Sequence, residues 1–340
     1  MTSNGKIGVA LLSFAHVHAR GYADSVVAHP DCKAVVIWDE DPYRGQLEAD
    51  KRNLPYNEHL DQVLAHPEVD AVVVNAPTAM HANLLIQCAK AGKHIFTEKS
   101  LTINASEAIE VIRAVEDAGI KFMISLPSRT RPEILFAKKV IDEGLLGDIT
   151  LMRARIAHMA ALDRWFSGGS NWFGDEEQAG GGAFFDLGCH RVDVMRWFLG
   201  EPQSVVSQMV NFSGNYNIDD SMVSVVTFRS KAIGILDVSW VHRAGPNPLE
   251  IYGTEGYLGI DTSAGGPKIQ LISNKLSTGD IEGVICPTNL PKALPSPMNQ
   301  WIAAIKDGTS QTISIYDGYN LVQLLEGCYT AGRNGHEVTF

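Results

Sequence analysis

A chain of 340 residues, 45% apolar and 20% charged, exceeds what one hydrophobic core usually organises and is too apolar to be disordered. Its formal charge of −11 argues against a nucleic-acid groove or an anionic membrane surface as the main partner and favours a small polar ligand. The cysteines, Cys32, Cys88, Cys189, Cys286 and Cys328, are odd in number and form no CxxC pair, as expected of reduced thiols in a cytoplasmic protein.

The opening segment MTSNGKIGVALLS has no long apolar region followed by a small-residue cleavage site. No uninterrupted apolar run reaches about 18 residues, so neither a signal peptide nor a membrane span is expected. Short β-type runs then alternate with helical stretches. Residues 6–12 (KIGVALL), 34–38 (AVVIW), 70–75 (DAVVVN), 94–97 (HIFT) and 120–125 (IKFMIS) predict strands, the first two buried on both faces. Among the helices between them, HANLLIQCAKAG stops at Gly92, and another starts near Asn104, where Glu107 completes a capping pair, and ends at Gly119. Strand–helix–strand alternation implies a parallel sheet with right-handed crossovers, so residues 1–126 predict an α/β Rossmann domain.

After residue 127 the pattern changes. A helix over roughly 132–144, a long alternating strand (ITLMRARIAHMA) and a helix near 183–199 lead into SVVSQMVNF, MVSVVTF, AIGILDVSW, LEIYG and YLGID. Consecutive strands without intervening helices predict an antiparallel sheet. Residues 127–340 thus predict an α+β domain with a large, mostly antiparallel sheet, for substrate binding and oligomerisation. The helical segments 297–306 and 317–333 are placed to return to the first domain.

The first strand runs into LLSFAHVHARGYA, where a dinucleotide-binding turn would show GxGxxG. The fingerprint is absent. Small residues Ser13 and Ala15 flank Phe14 at the turn, and Ser13 and His16 can offer side-chain hydrogen bonds beside the amides of the following helix. The HVH triplet also raises a metal. Two histidines at i, i+2 on a helix point to different faces, so no metal centre is expected. Asp39 ends the second strand; there it can accept from both ribose hydroxyls and repel a 2′-phosphate, favouring NAD over NADP, or it can be an ordinary turn aspartate. Two further loops at strand carboxyl ends, Asn75–His81 and Thr97–Ser100, stand where open α/β sheets bind ligands. Lys99 there either lines a cleft or starts a surface loop.

The segment AGGGAFFDLGCHRVDV, residues 179–194, combines a glycine run with Asp186 and His190 at i, i+4. A histidine near neutral pKa suits removal of a hydroxyl proton as hydride leaves the same carbon, whereas an isolated Asp–His pair at this spacing is commonly a solvated surface pair.

With these residues in place, the chain resembles the Gfo/Idh/MocA oxidoreductases. The resemblance runs through VDAVVVNAPTAMHANLLIQCAKAGKHIFTEKS, Arg129-x-x-Pro132, EGLLGDI, AGGGAFFDLGCHRVDVMRWFLGEP, IDDSMVSVVTF, LEIYGTEGYLGI and DGYNLVQLLEGCYTAG. It implies an active site in the cleft between the domains, with Lys99, Asp186 and His190 around the nicotinamide and the reacting carbinol. It implies cofactor-side positions at Pro77, His81 and Glu98, alongside Ser13, Phe14, Ala15, His16, Asp39, Asn75 and Lys99. Arg129 and Trp172 match positions that face the cleft, so that they, Asp186 and His190 are expected to meet substrate. Glu-Lys-Pro has become Glu-Lys-Ser here, and Ser100 restrains the turn less than proline.

The expected activity is NAD-dependent oxidation of a secondary alcohol on a sugar or cyclitol. Within the family the alternatives are glycoside cleavage or epimerisation with internal redox cycling, and a non-enzymatic dinucleotide-sensing regulator; the retained Lys99 and His190 favour an enzyme. The helices are too few to cover both faces of the second sheet, so a homo-dimer or homo-tetramer is expected.

Overall fold

The computed structural model of the chain describes residues 5–261, 268–276 and 283–340, leaving the first four residues of the opening segment outside. The N-terminal part runs β1 (Ile7–Leu12), α1 (Ala19–Ala28), β2 (Cys32–Trp38), α2 (Pro42–Arg52), α3 (Leu60–Ala65), β3 (Ala71–Val74), α4 (Thr78–Lys90), β4 (His94–Thr97), α5 (Ala105–Ala118) and β5 (Phe122–Ile124). These strands form one parallel sheet in the order β2-β1-β3-β4-β5. Every residue of β1 and β3 is buried, which is what strands with helices on both faces require. The sheet order reverses between β1 and β3, so their carboxyl ends open the crevice in which such sheets hold ligands. The helix ends follow the sequence signals: the Asn104 side chain accepts from the Glu107 amide, and Gly119 takes a left-handed φ of 62°.

The rest of the chain comprises α6 (Pro132–Asp142), β6 (Ile149–Ala157), α7 (Glu176–Ala179), α8 (Cys189–Leu199), β7 (Pro202–Val210), β8 (Ser221–Phe228), β9 (Ile233–Ser239), β10 (Pro248–Gly253), β11 (Gly256–Asp261), β12 (Lys268–Ser273), α9 (Pro297–Asp307), α10 (Ile315–Asn334) and β13 (Val338–Thr339). Its eight strands order as β12-β11-β10-β6-β9-β8-β7-β13, antiparallel throughout except for the β6–β9 pair. Helices α8 and α10 cover one face, against β6 and β7. The other face carries Val206, Val210, Val223, Val225, Ile233 and Ile272, all exposed.

Helices α9 and α10 return to the first sheet. Trp301 packs on Phe96 and sends its indole N–H to the Lys121 carbonyl, and Gln311 bonds the Phe122 carbonyl. One buried core therefore runs through both sheets. Among the described residues, no helix is long and apolar enough to cross a membrane.

The structure departs from the sequence pattern at residues 183–199. A π-helical turn, Phe184–Gly188, precedes α8, so Asp186 and His190 do not lie on one regular α-helix. The glycine run before it serves packing. A β-carbon on Gly181 would strike the Tyr329 ring of α10, and one on Gly182 would overlap the Asp219 carbonyl.

Candidate active site

The turn after β1 has lost its glycines but keeps one glycine-like conformation: Ser13 has φ 70°, in the left-handed region. Its hydroxyl accepts from the Ala15 amide at 3.1 Å and donates to Glu40 at 3.1 Å. The Phe14 amide donates to Asp39 at 2.8 Å, the His16 amide to the Asn75 carbonyl at 3.1 Å, and the His18 amide to His16 Nδ1 at 3.2 Å. The turn's polar groups are thus engaged by one another and by Asp39, Glu40 and Asn75. These bonds engage the Ser13 hydroxyl and the Phe14, Ala15 and His16 amides, whereas the sequence pointed to Ser13, His16 and the amides of the following helix.

Asp39 is likewise engaged. Besides Phe14 it accepts from the Asp41 amide at 2.9 Å, from Arg44 Nε at 3.0 Å and from Arg44 Nη2 at 2.6 Å. Four donors fill the acceptor capacity of one carboxylate, so ribose hydroxyls reach Asp39 only when Arg44 moves.

His16 and His18 lie in the turn before α1, not on the helix, so the helical argument separating them does not apply. Their ring centroids are 4.8 Å apart and both face Glu98. Glu98 is buried and also accepts from the Tyr22 hydroxyl at 2.6 Å and the Lys99 amide at 2.9 Å. Burial acts to raise its carboxyl, but His16, His18 and Lys99 outweigh it and hold Glu98 well below the usual carboxylate range.

Lys99 follows β4 and crosses to the second domain, where its Nζ donates to the Asp186 carbonyl at 2.7 Å and to Asp186 Oδ1 at 2.9 Å. Burial disfavours the ammonium, but the Asp186 carboxylate and other anionic neighbours raise it above the ordinary lysine range. Asp186 is correspondingly lowered: its burial is outweighed by Lys99. His190 is pushed down to about 3, first by burial and then by the Lys99 cation. Lys99, Asp186, His190, His158, His16 and His18 line one cavity of about 360 Å³, and a second of about 530 Å³ adjoins it at Val17, His18 and His190.

Other expected site residues act at one remove. Both ring nitrogens of His81 meet carbonyls, Ser100 at 2.8 Å and Ala76 at 3.0 Å, so His81 shapes the turn after Lys99. Pro77 is the N-cap of α4. Arg129 does not present its guanidinium to the cleft: it is bound to Asp193 at 2.7 Å and Asp317 at 2.7 Å and lies over the Trp197 ring. The expectation of substrate contact there is corrected, because two carboxylates take up this buried cation, which ties the segment after β5, at the start of the second domain, to α8 and α10. Trp172 lies in the 3₁₀ segment Gly168–Gly174, donates from its indole to the Ala15 carbonyl at 3.2 Å and stacks on Phe173. It thus covers the turn after β1. Sequence reasoning missed Arg44, Tyr22, His158 and Phe173. Only Arg44 carried a signal, as a basic residue five positions beyond Asp39.

A parallel α/β sheet joined to an open, mostly antiparallel sheet, with a buried Lys–Asp pair and histidines between them, is the architecture of a two-domain oxidoreductase. Residues 7–126 match the oxidoreductase family with NAD-binding Rossmann fold, and residues 134–259 match the GFO/IDH/MocA C-terminal domain. The chain belongs to the GFO/IDH/MocA oxidoreductase family. It is 29% identical over 275 residues to scyllo-inositol 2-dehydrogenase (NAD(+)) of Bacillus subtilis (strain 168), covering 78% of this chain and 76% of that one. Inositol 2-dehydrogenase of Rhizobium meliloti (strain 1021) is 25% identical over 90% of this chain and 91% of its own length. In fold, the chain superposes on levoglucosan dehydrogenase in complex with NADH and L-sorbose with a TM-score of 0.85, covering 98% of each chain at 21% identity.

Proposed function

We propose that the chain is an NAD-dependent dehydrogenase that transfers hydride between a secondary alcohol of a sugar, sugar derivative or cyclitol and the nicotinamide. The observation that carries this reading is the Lys99–Asp186 pair, drawn from the two domains, with His190 in the same cavity. The residues fit a dinucleotide in two respects. Ser13 holds the left-handed backbone that a fingerprint glycine supplies, and Asn75 Oδ1 and Ser100 Oγ are buried polar atoms without partners, at the two loops that border the crevice. Ser13, Phe14, Ala15 and His16 would flank the pyrophosphate and Asp39 the ribose, while Asn75, Pro77, Glu98 and Lys99 would face the nicotinamide. Bound there, NAD supplies the hydride acceptor.

The protein's own part is to hold the alcohol and take its proton. A charged Lys99 cannot serve as the base, so it acts as a hydrogen-bond donor to the carbinol oxygen as negative charge develops on it. His190 is neutral, its pKa pushed down to about 3 by burial and by Lys99, and is the group able to accept the proton. When Lys99 turns from Asp186 toward the substrate oxygen, the Asp186 carboxylate is released to stabilise the imidazolium that forms. Trp172 would close the turn side of the cleft against water.

The test is a screen of sugars, sugar acids and inositols with NAD and NADP in parallel, following reduced nicotinamide. One NADH per product is the expected result. Product without net NADH would establish internal redox cycling, and dinucleotide binding without any turnover would establish a regulator.

A further inference from the structure

Among the described residues, one group of His, Cys, Asp and Glu side chains gathers its donor atoms as a metal site does: His16, His18 and Glu98, all within 4.8 Å of one another. His16 Nε2 stands 3.7 Å from Glu98 Oε2, and His18 Nδ1 stands 3.2 Å from Glu98 Oε1. The His16 and Glu98 side chains are only 2% and 1% exposed, whereas that of His18 is 54% exposed. His16 Nε2 is buried, has no hydrogen-bond partner and faces the carboxylate across a gap too long for a hydrogen bond. A buried polar nitrogen left unmatched in this way is costly unless something else occupies the gap.

From these positions we infer that the turn after β1 binds a divalent transition-metal ion through His16, His18 and Glu98. Ligands of a tetrahedral ion with bonds of about 2.0–2.2 Å lie about 3.4 Å apart, and each histidine stands within a few tenths of an ångström of that distance from one Glu98 oxygen, His16 from Oε2 and His18 from Oε1. Closing the third edge would fall to His18, the one exposed side chain of the three. Two imidazoles and one carboxylate suit zinc or ferrous iron rather than calcium or magnesium, and a three-residue set leaves positions open. Those positions face the cavity that His18 and Glu98 share with His190. His16 Nδ1 now accepts the His18 amide at 3.2 Å, so the ring proton sits on Nε2. Ligation moves that proton to Nδ1 and turns the His18 amide to solvent. The ion would restore positive charge to a turn whose amides are bonded internally and whose glycines are gone. It presents a Lewis acid to an oxygen of an anionic or hydroxylated ligand.

The inference does not rest on the dehydrogenase reading, because the test contains no dinucleotide. The chain is stripped with chelator, dialysed, and titrated with Co²⁺ followed by visible absorbance and with Zn²⁺ followed by calorimetry. One ion per chain is expected, with the absorption of a low-coordinate Co²⁺ centre. His18→Ala, at an exposed side chain the fold can spare, should weaken binding on the order of a hundredfold or more. His158→Ala, on the same cavity but outside the group, should leave it unchanged. Absence of Co²⁺ absorption at one equivalent, or affinity that survives His18→Ala, would overturn the proposal and leave His16 and Glu98 as a stretched polar contact.

Discussion

Replacing Lys99 by Met separates what that residue does for the fold from what it does for the reaction. Its side chain is 5% exposed and its ammonium meets the carboxylate of Asp186, whose side chain is 17% exposed, at 2.9 Å. Removing one partner of so buried a pair leaves the other charge uncompensated, at about 3–5 kcal/mol of stability. Lys99→Met should therefore unfold at clearly lower denaturant and, on the mechanism above, turn over about 10²–10⁴-fold more slowly. The double variant Lys99→Met/Asp186→Asn removes both charges, so most of the lost stability should return while kcat stays low. A pH profile gives a third readout. Lys99 depresses His190 and Asp186 raises it, so Lys99→Met alone moves the His190 pKa upward from about 3. The acid limb of kcat/KM should then appear at higher pH in the single variant than in the wild type. The assay is steady-state turnover on the substrate from the screen, with urea denaturation of each variant alongside. If the double variant regained activity together with stability, Lys99 would be a structural cation, and the role assigned to it would fail.

Arg44→Ala should raise the preference for NAD over NADP by about tenfold, since it removes the cation that would meet a 2′-phosphate and leaves Asp39 and Glu40 as anions; an unchanged ratio of catalytic efficiencies would show that the ribose end lies elsewhere. Gly182→Ala should cost about 1–3 kcal/mol or more, because its β-carbon overlaps the Asp219 backbone carbonyl rather than a movable side chain; a denaturation midpoint equal to wild type would contradict the packing described for the glycine run. The exposed apolar face carrying Val206, Val223, Val225 and Ile233 should make the protein a dimer or tetramer, which Val225→Asp should weaken; a 37.0 kDa monomer in light scattering of the wild type at micromolar concentration would refute this.

The fold was legible where local signals and global layers agree. The parallel strands are unbroken apolar runs because helices cover both their faces, and α5 is bounded by an Asn104 cap and a left-handed Gly119. The second sheet could be read from strands that follow one another without helices. The parallel β6–β9 pairing was not readable, since it depends on a connection of more than 70 residues that carries no local pairing signal. The π-helical turn at Phe184–Gly188 also escaped. It has the composition of ordinary helix, and only the register it imposes on Asp186 distinguishes it.

At the candidate site, legibility differed between the two ends of the cleft. Lys99, Asp186 and His190 are read from residue type and position, because a charge at a strand end or on a buried helix face needs a partner wherever it lies. Their meeting across the domains needs the three-dimensional fold. At the other end, residue types mislead. Ser13 looks like a hydroxyl offered to a ligand, yet its hydroxyl is bound to Glu40 and its importance lies in its backbone. Asp39 looks like a ribose acceptor, yet Arg44 from the next helix fills it. Arg129 looks like a cleft cation, yet two aspartates distant in sequence neutralise it. One rule covers all three: a polar group is freely available to a ligand only where nothing in its own chain satisfies it first, and the partners of Ser13, Asp39 and Arg129 include groups 5 to 188 residues away. The histidines fail in the opposite sense. His16 and His18 were set apart on helical geometry, but α1 begins only at Ala19, after both, and a turn brings both rings to Glu98. Where a helix starts therefore decides whether the two HVH rings point apart or, as here, face one carboxylate.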